Sequence, residues 1–290
     1  MATIAVFNSK GGVGKTTLAL NLAAEAVRAG HKTLLWEIDA QGDSSWLVES
    51  EAPKGGVNAA SLMQGSTKPL DLVRPSKIPG LSILAADTDM RRTENFLAHF
   101  ARERRLVGLL DELESHFDVI IFDNPPGFCD ANRKLLMVVN LVIVPVIPSP
   151  LAMRGLLRIR DFMTRNRGAH APILPVFSMT DKRRSLHKAA LEAHPEWPSI
   201  AMSSEVEKMA TVKLPVAGFS PKSPTADAFR TLWRGVEQKL ARMRVIRVPQ
   251  GHGESCAENR SAPVGDAQSA APPAAAYFQW KQGVLTLPLE

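Results

Sequence analysis

The run Lys10-Gly11-Gly12-Val13-Gly14-Lys15-Thr16-Thr17 brings together the groups that hold a polyphosphate. Glycines let successive backbone N–H groups turn inward as an anion-binding nest, and a helix beginning there adds the positive end of its dipole. Lys15 supplies a charge for the β- and γ-phosphates, and the Thr16 hydroxyl is placed to ligate Mg²⁺. Lys10 through Thr17 are therefore the expected nucleotide-binding residues. The usual phosphate loop carries a further glycine where this chain has Ser9, and Lys10 is an additional lysine before the glycine pair.

Two carboxylates complete the candidate chemistry. Asp39 closes the strand-like run Trp36-Glu37-Ile38, and Asp123 closes Val119-Ile120-Ile121-Phe122. In an open parallel sheet the strand C-termini collect the ligand, so both acids are expected in one crevice. Asp123 is read as a ligand in the Mg²⁺ shell. Asp39 is read as polarising the attacking water or holding Mg²⁺ through water. With Lys10 and Lys15 it forms the expected catalytic set. Helix capping is the plainer role open to each acid. Neither segment offers a strong general base, and phosphoryl transfer depends mainly on positioning and charge stabilisation. Slow hydrolysis, stimulated by a partner, is the expectation.

These residues need strands and helices in alternation to hold them. Thr3 to Phe7 reads as a buried strand, Thr16 to Ala29 as a helix stopped by Gly30, and Thr33 to Ile38 as the next strand. Leu81 to Ala85, Val119 to Phe122, Val138 to Val146 and Leu174 to Ser178 read as further strands. Arg91 to Ser115 reads as one or two helices, and residues 223–244 as a last one. The expected fold is α/β: a doubly wound, mainly parallel sheet with helices on both faces. Residues 1–245 form its domain. Residues 246–290, rich in Ala, Pro and Gly, are expected to be a flexible tail with an apolar end, Tyr277 to Leu289.

The chain has 290 residues, 45% hydrophobic and 22% charged, an ordinary globular composition. Two cysteines, Cys129 and Cys256, supply no disulfide framework and fit a reducing, cytoplasmic setting. No secretory leader is read at Met1, and the apolar stretch at Leu135 to Pro148 is too short and broken to span a bilayer. Charge is uneven: residues 1–150 carry 15 basic and 17 acidic groups, whereas residues 151–245 carry 17 and 8. That excess favours a polyanionic partner, and a merely solvated basic surface is the alternative. The candidates are Arg183, Arg184, Lys188, Lys208, Lys213, Lys222, Arg230 and Arg234. Few aromatics interleave them, so salt-sensitive contacts to duplex phosphates fit better than base stacking.

The loop Lys10 to Thr17 resembles the deviant Walker A box of the ParA/MinD superfamily of partition and positioning ATPases. Trp36 to Gly42 is similar to that family's Asp-Leu-Asp-Pro-Gln-Gly motif, with Asp39 on the second Asp and departures at Glu37 and Ala40. Asp123-Asn124-Pro125-Pro126 resembles its Asp-x-Pro-Pro motif. The proline-rich run Val144 to Leu151 resembles the segment before a dimer-interface helix, and Met179 to Arg184 the segment near the nucleotide base. There the family often carries Asn, and this chain has Ser178 and Thr180 around that position. Pro221-Lys222-Ser223-Pro224 and the helix after it resemble the end of the ParA branch.

The resemblance covers about residues 1–245. It implies ATP and Mg²⁺ as ligands and a nucleotide-sandwich homodimer in which Lys10 reaches the partner's ATP. It also implies non-specific duplex DNA binding by that dimer, nucleoid association, and an adaptor protein that stimulates hydrolysis. The expected function is an ATP-dependent switch that positions or partitions a plasmid, a chromosome region or a protein assembly such as a carboxysome. The alternative is a MinD-like membrane switch, which needs a basic amphipathic helix at about residues 235–248. An iron–sulfur carrier is disfavoured because Cys256 falls in the tail, and nothing suggests the metabolite pocket of a dethiobiotin-synthetase-like ligase.

Overall fold

A computed structural model describes residues 1–48, 67–86, 103–165 and 171–246. The strands are β1 (Ala2–Val6), β2 (Thr33–Glu37), β3 (Arg74–Pro75), β4 (Leu81–Leu84), β5 (Val119–Asp123), β6 (Leu141–Val146), β7 (Ile173–Thr180) and β8 (Ser199–Ala201). The helices are α1 (Lys15–Arg28), α2 (Asp43–Leu47), α3 (Pro69–Leu72), α4 (Glu103–Leu113), α5 (Asp130–Val138), α6 (Pro150–Arg165), α7 (Ser185–Ala193), α8 (Ser204–Val212), α9 (Val216–Phe219) and α10 (Pro224–Arg242). Among the described residues the strands form one sheet in the order β3-β4-β2-β5-β1-β6-β7-β8, parallel throughout except for β3 against β4.

The central strands are apolar on both sides because both sides are covered. Ile4, Val6, Leu35, Ile121 and Ile143 face one layer, built from Leu18, Leu22 and Ala26 of α1 and Phe229, Trp233 and Val236 of α10. Their chain neighbours Ala5, Leu34, Trp36, Phe122 and Val144 face the other, built from α4, α5 and α6 through Leu109, Leu135, Leu156 and Ile159. This period-two division is the doubly wound arrangement expected from the sequence. α1 ends at Gly30, whose φ of 93° is left-handed. His31 N donates to Ala26 O and Gly30 N to Val27 O, a pattern that satisfies the last carbonyls of the helix. Polar contacts then fix α1 to α10: His31 Nε2 lies 2.6 Å from Glu237 Oε1, and Arg230 Nε lies 3.9 Å from Glu25 Oε2.

One strand boundary differs from expectation. Val138 ends α5, and β6 starts only at Leu141. Asn140 makes the break: its Oδ1 accepts from Thr3 N at 2.8 Å and Thr3 Oγ1 at 2.9 Å, which holds the turn against β1. A continuous apolar run concealed this helix-to-strand change. Of the helix expected over 91–115, residues 91–102 lie outside the described residues, as do residues 247–290 of the expected tail.

Candidate nucleotide-binding site

Parallel pairing brings the C-terminal ends of β1, β2 and β5 to one edge, with Val6 and Glu37 both in register with Asp123. The loop after β1 carries the glycine-rich run. Gly14 adopts φ 84° and ψ 29° at the N-cap of α1, and no side chain caps that helix. A Cβ added at Gly11 or Gly12 would meet no atom within 4 Å, so the loop encloses open space. Asn8, fully buried, holds the base of the loop: its Nδ2 donates to Pro145 O at 2.7 Å, and its Oδ1 accepts from Lys10 N at 3.0 Å. Lys15 Nζ donates to Lys10 O at 3.1 Å. Burial lowers the Lys15 pKa, and the charges of Asp123 and Asp39 oppose that shift.

The acids are closer-knit than their spacing suggested. Asp123 is buried, and its Oδ2 accepts from Ser44 Oγ at 2.8 Å. Burial pushes its pKa up to about 7. Glu37 and Asp39 push the same way, and hydrogen bonds from Ser44 and Thr16 oppose. Its Oδ1 is buried without a partner. Glu37 Oε1 accepts from Ser44 N at 2.6 Å and Ser45 N at 3.3 Å, while its Oε2 accepts from Ser45 Oγ at 2.7 Å and Ala86 N at 3.3 Å. Burial raises its pKa as well. Glu37 therefore caps the first turn of α2 and aims Ser44 at Asp123. Asp39, only partly buried, accepts from Gln41 N at 3.1 Å through Oδ1, a local turn. The segment after Asp123 is tied down too: Asn124 Nδ2 donates to Val6 O at 3.1 Å, and Gly127 N donates to Ser9 O at 3.1 Å.

A buried carboxylate oxygen without a donor, on a carboxyl close to Thr16 and to the buried Lys15, suits a hard cation bridging to phosphate. Lys15, Thr16 and Asp39 lie close enough to Asp123 to act on its charge, and Lys10 to Gly14 form the loop that leads into α1, with Thr17 in its first turn. Ser44, Glu37, Asn8 and Asn124 were not anticipated. Glu37 alone left a signal, as a buried-type acid at a strand end.

The residues proposed for a polyanion are not gathered this way. Arg183 is paired with Asp181 through Nε and Nη2, each at 2.9 Å. Lys188 lies 3.9 Å from Glu192, and Arg230 lies 3.2 Å from Asp227. Lys213 Nζ lies over the Trp46 ring. Arg184, Lys208, Lys222 and Arg234 are exposed and distributed over separate elements.

A family model described as an AAA domain matches residues 1–172. The chromosome-partitioning ATPase Soj of Thermus thermophilus is 31% identical over 253 residues, covering 83% of this chain and 96% of Soj. The chain belongs to the ParA/MinD superfamily. Within it the relationship is ParA-like: the chromosome partitioning protein ParA of Caulobacter vibrioides is 28% identical over 193 residues, 64% of this chain and 72% of that protein. The fold is shared with the septum site-determining protein MinD of Pyrococcus horikoshii, complexed with Mg-ADP, at a TM-score of 0.70 and 20% identity, covering 84% of this chain and 98% of that one. Members of this superfamily are positioning ATPases, and this chain is a ParA-like ATPase.

Proposed function

We propose that the chain is an ATP-driven switch: Mg-ATP binding at Lys10 to Thr17 closes a homodimer that holds duplex DNA, and an adaptor protein triggers hydrolysis. The observation that carries the nucleotide part is the buried Asp123 carboxyl, its Oδ1 without a partner, at the sheet edge where Lys15 is buried beside the phosphate loop. Thr16 and Asp123 would hold Mg²⁺, with Asp39 acting through water. The cation supplies neutralising charge across the phosphates. Lys15 neutralises phosphate oxygens, Gly11 to Gly14 present backbone N–H groups, and Asp39 orients water. Lys10 serves the second protomer. Residues 1–245 make up the ATPase domain and residues 246–290 a tail.

The membrane alternative is weakened by packing. Leu240 is fully buried against the α1 layer, and Val245 and Ile246 pack on the same cluster. Most of the apolar side of the segment proposed as a lipid anchor is therefore taken up by the core, with Met243 left exposed. Among the described residues no helix is long and apolar enough to cross a membrane. The net charge of residues 151–245, 17 basic against 8 acidic groups, supports the DNA reading.

The test is duplex DNA binding by the full chain with ATP, with ADP, and by Lys10→Ala with ATP, at two salt concentrations. Binding that requires ATP, weakens with salt and is lost in the variant is the expected result. Absence of binding in every state rules out the DNA-riding switch.

A further inference from the structure

The short helix α2 is fastened more firmly than its size explains. Of its five residues only Ser44 is buried, so its own hold on the core is slight. Its first turn is nevertheless clamped to a buried acid. Glu37, 1% exposed, accepts from Ser44 N, Ser45 N, Ser45 Oγ and Ala86 N. Burying a carboxylate is costly unless hydrogen bonds replace its water, and these four donors do so. Just beyond the helix Val48 is fully buried in the α1 layer, and its carbonyl accepts from Lys77 N at 3.2 Å.

What this clamp fixes is one hydroxyl. Ser44 is wholly buried, and its Oγ donates to Asp123 Oδ2 at 2.8 Å. The last torsion of an aspartate is broad and nearly two-fold, so a carboxyl at a strand end has only a weak preference for one plane and does not tell its oxygens apart. A donor on a clamped turn supplies both distinctions. It occupies Oδ2 and leaves Oδ1, the buried oxygen without a partner, for a cation. The sheet makes this possible, because β2 and β5 pair with Glu37 in register with Asp123. The acid that holds α2 therefore lies beside the acid that α2 orients.

We propose that Ser44 is a positioning residue for the cation site: held by Glu37, it fixes the Asp123 carboxyl in the plane that leaves Oδ1 to the metal. The inference rests on the nucleotide-binding reading above. Carboxylates that ligate a metal are themselves oriented by hydrogen bonds, and loss of such a partner lowers metal affinity by about tenfold or more. The loss should fall on the cation and not on the phosphates. The hydrogen bonds of Ser44 run to Glu37, Asp123 and Val48, and none among those described reaches the phosphate loop.

The test is Mn²⁺ binding to the full chain saturated with ADP, read by electron paramagnetic resonance, alongside ADP binding in EDTA. Ser44→Ala should raise the Kd for Mn²⁺ by about tenfold and leave the Kd for ADP in EDTA unchanged. A merely structural role would move both. Glu37→Asp, one methylene shorter, withdraws the acceptor from Ser44 N and should weaken Mn²⁺ binding in the same way. It also covers the case in which the alanine variant misfolds. Both changes act through one bond to Asp123, so the double variant should lose no more than the larger single loss. Unchanged Mn²⁺ affinity, a loss of ADP affinity in EDTA as large as the Mn²⁺ loss, or additive losses in the double variant would each overturn the assignment. Wild type that takes up no more Mn²⁺ than free ADP accounts for would instead remove the nucleotide reading itself.

Discussion

Replacing Asp123 with asparagine should move stability and function in opposite directions. The carboxyl is 1% exposed, and burial lifts its pKa from 3.8 to about 7. The unfolded chain releases this proton at the lower value and the folded chain at the higher one. Between them the folded state binds more protons, so stability falls as pH rises through that window and is level above it. The gap is about 3 units, or about 4 kcal/mol of destabilisation fully developed by about pH 8.

Asparagine avoids that penalty. Its oxygen can still accept from Ser44, while its amide falls where Oδ1 has no partner. An unpaired buried amide costs about 1–3 kcal/mol, which leaves a net gain of about 2 kcal/mol at about pH 8. Near pH 5 only about 2 kcal/mol of the wild-type penalty remains, so the gain should fall close to zero. Urea denaturation of both proteins in chelator, without nucleotide, at these two pH values measures the difference. The same variant should bind Mg-ATP poorly and lose hydrolysis. A variant less stable than wild type at the higher pH, or a gain independent of pH, would refute the view that Asp123 is an uncompensated buried charge awaiting a cation.

Other perturbations follow from the same geometry. Glu37→Ala removes the acceptor for Ser44 N, Ser45 N, Ser45 Oγ and Ala86 N, and should cost about 3 kcal/mol of stability by thermal or urea melts, together with ATP turnover. Gly14→Ala forces a side chain onto a φ of 84° with Met179 Cε at 3.5 Å, which should cost about 1–2 kcal/mol and weaken ATP and tripolyphosphate binding together. Gly80→Ala, far from the crevice, meets Val27 Cγ1 at 2.9 Å with φ at 86°, so melts should show it destabilised while its nucleotide affinity stays unchanged. Lys10→Ala should leave a monomer with ATP, as read by light scattering, while the wild type dimerises.

The parts of the site that were legible in the sequence are those whose physics is local. The phosphate loop needs only a strand, glycines, a lysine and a helix start in succession, and all of these lie between Thr3 and Arg28. Asp123 could be placed because an apolar strand ends on it. Glu37 is the instructive miss. As an acid at a strand end it resembled a conservative change, but its four donors come from residues 44, 45 and 86, and only the folded chain brings residue 86 to it. A cavity beside the phosphate loop was legible only in part: the resemblance put Met179 to Arg184 near a base, but the walls near residues 14, 200 and 229 meet only in the fold.

Charge behaves differently again. A count of lysines and arginines gives the sign of a surface but not which groups are already paired. Arg183 sits two residues from Asp181, close enough for a local turn to claim it, and Arg230 is claimed by Glu25 and Asp227. The end of α10 shows how one pattern can support two readings. Apolar residues at helical spacing among arginines describe a lipid-facing helix and a core-facing helix equally well. The decision comes from α1, whose layer already takes up Val236 and Leu240.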